Sequence, residues 1–246
     1  MAGLPLLTVI TVCHNNADVL EGTICSVLEQ QYPRLNYIVW DGSSTDGTLD
    51  IIRKFDERLT FWSSEPNQGT YDAMNQAARK AVELAGTDDQ WLFFLYAGDR
   101  FWNEKVLMEV FSHEQLDYHR LKMIGGNVMR RKAGEEGFVA EPPRPVSVIP
   151  VEPAFGIASA FVRADVCRFD LDYPLGADYA LQYQLYHDVG ADCLATVDVP
   201  VIVAEDEGLD ARRLNRRIVK GEYLGVQSQH ISWRWVKEYF KWRFFG

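Results

Sequence analysis

The sequence predicts an α/β fold: a mainly parallel central sheet flanked by helices, with a C-terminal amphipathic extension. Apolar segments rich in β-branched residues alternate with segments whose apolar residues recur at helical spacing. Several apolar segments run directly into turns with Gly and Asp, as buried parallel strands do at their carboxyl ends. The 246 residues suffice for one such domain, which we expect over residues 1–211, followed by a basic, aromatic-rich helical extension over residues 212–246.

In the first part of the chain, strands and helices are expected to alternate regularly. The predicted strands are residues 6–13, 37–40, 59–63 and the apolar run that opens WLFFLYAGD at residues 91–99. The predicted helices are residues 18–30, 49–55 and a segment that carries Tyr71, Met74, Ala78 and Val82. This alternation favours right-handed crossovers and parallel pairing.

The second part of the chain is less regular. It predicts a helix at residues 103–112, strands at residues 123–129, 158–162 and 192–203, a helix from Tyr179 to His187 that Gly176, Ala177 and Asp178 precede, and a basic helix at residues 212–229. Residues 130–150 contain two glycines and a run of prolines, so we expect a long loop there. Loops of this length in a compact domain are usually functional or mobile.

The net charge and the cysteines of the chain indicate which partners and which compartment to expect. A net charge of −10 argues against nonspecific binding to nucleic acid. From Arg212 onward the net charge is +7, which leaves −17 on the preceding residues. An acidic body that handles an anionic substrate needs a bridging cation, and a basic tail suggests an anionic surface as a partner.

The four cysteines lack CxxC spacing and are expected to be reduced, as in a cytoplasmic protein.

Two aspartates follow predicted strands and are therefore candidate ligands. Asp99 ends the WLFFLYAGD stretch, where it is able to bind a divalent metal or a sugar hydroxyl, or to cap the helix predicted near Asn103. Asp41 opens the polar turn DGSSTDGT after the second strand. The chain has neither the GxGxxG of a dinucleotide fold nor the GxxxxGKS/T of a phosphate-binding loop, so phosphates must be held in another way.

Taken together, these motifs resemble a family 2 glycosyltransferase of the GT-A fold, of the kind found in bacterial surface polysaccharide biosynthesis. TVCHN is similar to the family's opening nucleotide-binding strand, and WDGSSTDGT is similar to its strand-end D-G-S-x-D-G-T signature. SEPNQGTYDAMNQA is the most specific match, to the form S-E-x-D-x-G-x-Y-D-A-M-N-x-A. YAGD stands where the family carries its D-x-D metal motif, and DLDYPLGADYAL resembles the segment that supplies its catalytic base.

The resemblance implies a role for each matching residue. Contact with the nucleotide-sugar donor is implied for Thr11, His14, Asn15, Asp41, Tyr71, Asp72 and Asn75. Asp99 would bind Mg²⁺ or Mn²⁺ at the donor diphosphate, and Asp178 would deprotonate the acceptor hydroxyl in an inverting displacement. Structural alternatives stay open: a turn-forming role for Asp41, a helix-dipole role for Asp72, packing for Tyr71 and Asn75, and a helix cap for Asp178.

The chain also departs from the family pattern. Ala97 replaces the first aspartate of D-x-D, so a single carboxylate remains for the metal. Ile157 and Ala158 stand where many relatives have a His-Gln pair, and residues 207–210 replace the usual Gly-Gly-x-Ser loop. The resemblance therefore does not carry over the choice of acceptor.

The tail ISWRWVKEYFKWRFFG at residues 231–246 interleaves aromatic and basic residues. This composition is typical of an interfacial membrane anchor, and the alternative is a helix that docks on the domain or on a dimer partner. We expect a peripheral protein on the inner face of the plasma membrane, with a glycan or lipid-linked acceptor and no nucleic-acid partner. Two further hypotheses are a nucleotidyltransferase, which should have a Gly-rich basic loop after its first strand, and a degenerate transferase that serves as a membrane-associated assembly partner.

Overall fold

Nine strands and six α-helices are present in the described part of this computed structural model, which comprises residues 3–113, 116–131, 137–204 and 216–228. The strands are β1 (Leu7–Cys13), β2 (Leu35–Asp41), β3 (Phe61–Ser64), β4 (Trp91–Tyr96), β5 (Arg100–Phe101), β6 (Met123–Arg130), β7 (Val139–Glu141), β8 (Ala160–Arg163) and β9 (Leu194–Ala204). The helices are α1 (Leu20–Leu28), α2 (Thr48–Lys54), α3 (Thr70–Ala85), α4 (Val106–Phe111), α5 (Ala177–Gln184) and α6 (Arg216–Gln227).

The strands form one sheet in the order β3-β2-β1-β4-β8-β6-β9-β5, with β7 paired to β6. The first four strands are parallel, so their carboxyl ends lie at one edge. All seven residues of β1 are buried, because helices cover both of its faces. The α/β fold and the parallel order predicted for these strands are confirmed.

Beyond β4 the sheet is mixed. Strand β8 runs antiparallel to both β4 and β6, while β6 and β9 are parallel. A parallel return needs a long crossover, usually through a helix, and the described residues between β6 and β8 contain only 3₁₀ turns and the short strand β7. The sequence-based expectation of parallel pairing therefore applies to the first half of the sheet and to the β6–β9 pair.

Two hydrophobic layers cover the sheet. One face packs against α3, α5 and α6 through residues such as Met74, Tyr179 and Val226. The other face packs against α1, α2 and α4, with Ile24 and Val110 fully buried. The four cysteines are free thiols, as the sequence predicts.

Parts of the predicted C-terminal region lie outside the described residues. Helix α6 matches the described part of the basic helix predicted at residues 212–229. Two sequence features lie outside the described residues: the aromatic tail at residues 231–246, and residues 207–210, which replace the usual Gly-Gly-x-Ser loop of the family. Within the described residues, no helix combines the length and apolar character that crossing a bilayer requires.

Candidate functional site

The predicted acidic residues Asp41, Asp72 and Asp99 lie at the carboxyl edge of the parallel strands. Asp41 is the last residue of β2, Asp72 lies in the first turn of α3, and Asp99 follows β4. Since β2, β1 and β4 are neighbours in the sheet and α3 begins after β3, these three positions share one edge. The three positions therefore lie at the same edge of the sheet, and the convergence of their carboxylates on one pyrophosphate pocket stays a prediction.

Asp41 is fully buried beneath this edge. One carboxylate oxygen accepts hydrogen bonds from the Ser44 backbone N–H at 2.9 Å and the Ser64 hydroxyl at 2.7 Å, and the other accepts from the Ser44 hydroxyl and the Cys13 thiol. Burial, reinforced by the charge of Asp41, raises the pKa of Cys13, so the thiol keeps its proton and can donate. In the structure Asp41, at the end of β2, is hydrogen bonded to the last residues of β1 and β3 and thereby links the three strand ends. Its contact with a nucleobase or ribose stays a prediction.

The loops after β1 and β2 are joined by hydrogen bonds in both directions. Asn15 takes part in two: its N–H donates to the Ser44 hydroxyl at 2.7 Å, and its side-chain oxygen accepts from the Thr45 N–H at 2.9 Å. Further bonds join His14 Nδ1 to Gly42 O, Asn16 N to Thr48 Oγ1, and Ala17 N to Asp46 Oδ2.

The predicted donor-binding residues of β1 and its loop differ in exposure. His14 and Asn15 are exposed at the edge, whereas Thr11 is buried with its hydroxyl 3.0 Å from that of Tyr37. Thr11 therefore lies in the core of the protein, and its contact with the donor stays a prediction.

The loop after β3 completes the edge. The Glu65 N–H donates to the Asp41 carbonyl oxygen at 2.9 Å, which brings the loop toward β2. A Cβ atom at Gly42 would lie only 2.7 Å from Asn67 Nδ2, so the two loops touch here and a larger residue would require the Asn67 side chain to shift. The three loops thus form one connected surface.

Asp72 and Asn75 are both engaged within the protein. The Asp72 carboxylate accepts from the Gln68 N–H at 2.9 Å and from Gln76 Nε2 at 2.8 Å, an arrangement that stabilises the start of α3. Asn75 is buried and bonded to the backbone of Phe169 through both ends of its amide. The structure gives Asn75 a packing role in place of the predicted donor contact, while donor contact for Asp72 stays a prediction.

Asp178 lies at the start of α5, where it is 7% exposed. Gly176 occupies the N-cap position of α5, and the Asp178 carboxylate accepts a hydrogen bond from the Tyr179 N–H at 2.9 Å in the first turn, so the helix-capping alternative for Asp178 stays open. Tyr71 on α3 lies near enough to Asp178 for the two groups to interact electrostatically. Burial raises the pKa of Tyr71, and the charge of Asp178 raises it further.

A tight turn presents Asp99 after β4. Gly98 has φ +102°, and the Asp99 N–H donates to the Tyr96 carbonyl at 3.0 Å. The buried hydroxyl of Thr23 on α1 accepts from the Gly98 N–H and donates to the Asp99 carbonyl, both at 2.9 Å. Helix α4 begins at Val106 after Lys105, so Asp99 does not cap it.

The residues at this edge fit a metal that is shared with a ligand. Among the described residues no group of three or more His, Cys, Asp or Glu side chains is arranged to hold a metal ion. Mg²⁺ commonly binds one or two carboxylates and completes its coordination with water and substrate phosphates. Asp99, partly exposed after β4, provides one such carboxylate.

The Thr23 contact leads to a testable prediction. Thr23→Val keeps the side-chain shape but leaves the Gly98 N–H without its acceptor, which should lower the free energy of unfolding by about 1–3 kcal/mol. We also expect weaker Mn²⁺-dependent nucleotide binding, because the turn that carries Asp99 loses its anchor. Urea unfolding and titration calorimetry measure the two effects.

Thr196→Val is the matched control, since Thr196 is exposed on β9. It should change stability by less than about 0.5 kcal/mol and leave binding unaltered. Equal behaviour of the two variants would contradict the anchoring role of Thr23.

Sequence reasoning did not identify Thr23, Ser44, Ser64 or Phe169 as parts of the site. For Thr23 a signal was present: it is a hydroxyl on the apolar, buried face of α1. For Phe169 no local signal exists, because its partner Asn75 is 94 residues away in the chain.

Comparison with known proteins identifies a related family. Residues 8–109 match the family described as "Glycosyl transferase family 2". An uncharacterized glycosyltransferase of Mycobacterium tuberculosis is 36% identical over 110 residues, which cover 44% of this chain and 40% of that protein. TuaG of Bacillus subtilis, named for teichuronic acid biosynthesis, is 40% identical over 94 residues, or 35% of this chain and 37% of that protein. The chain thus matches less than half of the length of these relatives.

Solved structures share the fold. A mannosyltransferase from Pyrobaculum calidifontis, determined in complex with GDP-Man and Mn²⁺, has a TM-score of 0.68 at 18% identity. The similarity covers 99% of this chain and 71% of that chain. At this level of identity the comparison establishes the fold, which is GT-A as predicted.

Proposed function

We propose that the protein is an inverting glycosyltransferase that moves a sugar from a nucleotide-sugar donor to a glycan or lipid-linked acceptor, because residues 8–109 match glycosyl transferase family 2. The acceptor belongs to cell-surface polysaccharide or lipopolysaccharide biosynthesis. The observation that carries the proposal is the grouping of Asp41, Asp72 and Asp99 at the carboxyl edge of the sheet. The similarity to TuaG, which is named for teichuronic acid biosynthesis, supports a role in making a surface polysaccharide.

The donor is proposed to lie over the three connected loops. His14 and Asn15 are exposed there and offer polar groups to the nucleotide, on a surface that the buried Asp41 holds in shape. Preorganised polar groups bind with less loss of conformational entropy than flexible ones. Asp72, at the start of α3, is proposed to contact the nucleotide or the sugar.

A divalent cation is proposed to join Asp99 to the donor diphosphate. The ion would neutralise the negative charge that develops on the leaving nucleoside diphosphate. Thr23 and Gly98 hold the turn that directs Asp99 toward this edge. The Mn²⁺ in the archaeal mannosyltransferase structure supports a cation of this kind.

Asp178 is proposed as the general base. Its carboxylate takes the proton of the acceptor hydroxyl while the acceptor oxygen bonds to the anomeric carbon and the bond from that carbon to the diphosphate breaks. A single in-line displacement inverts the configuration at that carbon. The low exposure of Asp178 supports this role, since water competes less with an acceptor at a shielded base.

The C-terminal tail is proposed to bring the enzyme to the inner face of the plasma membrane. Residues 231–246 combine seven aromatic and four basic side chains with one acidic side chain. Aromatic rings favour the headgroup region and basic residues favour anionic lipid. A lipid-linked acceptor would then be available at the same surface.

A thermal-shift screen tests the donor part of the proposal. The protein is mixed with UDP-, GDP- and dTDP-sugars, each with and without Mn²⁺. A matching donor at 100 times its Kd should stabilise the native state by about 2.7 kcal/mol, or roughly 5–11 °C in a chain of this size. Adenosine nucleotides serve as the control ligands. No shift with any donor would contradict the proposal.

A second candidate function is a degenerate transferase that acts as an assembly partner. It is favoured by Ala97 in the D-x-D position and by Ile157, which is fully buried where many relatives have an imidazole. Binding of a donor without release of nucleoside diphosphate, even with crude acceptor glycans, would support this alternative over the enzyme.

A further inference from the structure

Helix α6 packs against α5, the helix that carries Asp178. The Tyr223 ring lies 4.5 Å from the Tyr179 ring, measured between the ring centroids. Gln227 Nε2 donates to the Tyr179 hydroxyl at 2.9 Å, and the Tyr183 hydroxyl donates to the Gln227 carbonyl at 3.3 Å. Helix α6 is thus joined to α5 at two successive turns.

A carboxylate of α6 also holds the start of α5. Glu222 Oε2 accepts a hydrogen bond from the Leu175 N–H at 3.0 Å, one residue before the N-cap Gly176. A Cβ atom at Gly176 would lie 3.1 Å from the same oxygen and 3.2 Å from a ring carbon of Tyr223, so α6 approaches the start of α5 closely. The positive end of the helix dipole favours a carboxylate at this place. Glu222 therefore fixes where the chain enters α5.

The contacts with α6 bracket Asp178 in the chain. Leu175 precedes Asp178 and Tyr179 follows it, and both are hydrogen bonded to α6. Asp178 is the second residue of α5 and is 7% exposed. A side chain in the first turn of a helix moves with that turn, so the place of the Asp178 carboxylate depends on the contacts that hold the turn.

We propose that Glu222 is a positioning residue, which holds the first turn of α5 through the Leu175 N–H so that the Asp178 carboxylate meets the acceptor hydroxyl. The inference rests on the proposed transferase function. Glu222 takes no proton from the acceptor: that proton moves to Asp178, and Glu222 only accepts a hydrogen bond from the backbone. Misplacement of a reacting group by about 1 Å can slow a reaction about 100-fold, so loss of this bond should act on the chemical step.

Two substitutions of Glu222 test the proposal. The rate is the release of nucleoside diphosphate from UDP-, GDP- and dTDP-sugars with Mn²⁺, with water or crude acceptor glycans as acceptor. Glu222→Ala removes the acceptor of the Leu175 N–H and should lower kcat by about 10- to 100-fold. Glu222→Gln keeps a side-chain oxygen that accepts the same bond, so its kcat should stay within about 3-fold of wild type. In both variants the donor KM, and the donor Kd from calorimetry, should change by less than about 2-fold.

Gln30→Ala is the matched control. Gln30 also reaches the start of a helix from another element: its Nε2 donates to the Asn103 carbonyl at 2.7 Å, and its Oε1 accepts from the Leu107 N–H at 3.4 Å. These contacts lie at α4, on the opposite face of the sheet. The variant should lose a comparable amount of stability and keep the wild-type kcat. Thermal unfolding of every variant measures that loss and verifies that each is folded at the assay temperature.

Each contrary result has a distinct meaning. Equal losses of kcat in Glu222→Ala and Gln30→Ala would reveal a general effect of stability and overturn the proposal. A raised donor KM with unchanged kcat in Glu222→Ala, or a kcat in Glu222→Gln as low as in Glu222→Ala, would overturn it while the transferase function stands. Absence of turnover in the wild-type protein with every donor and both kinds of acceptor would remove the transferase function itself, and with it any base for α6 to position.

Discussion

Asp178→Asn is expected to lower the rate of sugar transfer by about 10²- to 10⁴-fold, the usual contribution of a positioned general base. The asparagine amide cannot take up the acceptor proton at neutral pH. Its side-chain oxygen can still accept the hydrogen bond that the Tyr179 N–H makes to Asp178 at 2.9 Å, so the start of α5 should fold normally. Initial rates with the best donor from the screen, together with the Kd for that donor, separate lost chemistry from lost binding.

Asp188→Asn is the matched control for this substitution. Asp188 is exposed and lies in the helical turn that continues α5. Transfer by this variant should stay within about 2-fold of wild type, since surface substitutions away from a site have small effects. Asp178→Asn with a rate within 3-fold of wild type would remove Asp178 as the base.

Asp41→Ala is expected to destabilise the protein by about 3–5 kcal/mol, because each buried donor that loses its acceptor costs roughly 1–3 kcal/mol. The Ser44 N–H and the hydroxyls of Ser44 and Ser64 would all lose their acceptor. For a chain of this length the loss corresponds to a fall in Tm of roughly 6–20 °C. Nucleotide binding should weaken at the same time, since Asp41 joins the loops on which the donor is proposed to lie.

Asp50→Ala is the control for this second prediction. Asp50 lies in the first turn of α2, its side chain is 78% exposed, and it pairs with Arg53 at the surface. Its loss should cost less than about 0.5 kcal/mol. Equal destabilisation by the two substitutions would contradict the view that the buried contacts of Asp41 hold the edge together.

The position of the carboxyl edge of the sheet could be predicted from the sequence, because the strands and turns that form it are specified by residues next to one another in the chain. An apolar run such as residues 91–96 specifies a buried strand, and the Gly98 turn that follows specifies where the chain leaves the sheet. Parallel order then places Asp41, Asp72 and Asp99 at the same edge of the sheet without any knowledge of side-chain contacts. The fold class and the position of the site are both consequences of this local pattern.

The direction of individual side chains was not accessible in the same way. Asp41 and Asn75 were expected to face a ligand, yet one is buried under three loops and the other binds the backbone of Phe169. These contacts depend on segments that are distant in the chain, so neither spacing nor residue type specifies them. The antiparallel pairing of β8 escaped prediction for a similar reason, since a short strand after a long loop can enter a sheet in either direction.

The reciprocal hydrogen bonds between the loops after β1 and β2 have a consequence for protein engineering. Most of the bonds join the backbone of one loop to a side chain of the other, as in the Asn15–Ser44 and Asn16–Thr48 contacts. A graft that exchanges one loop with that of a relative, for example to alter nucleotide preference, would therefore break the fit of the loop left behind. Donor selectivity in this scaffold should be transplanted as a matched pair of segments.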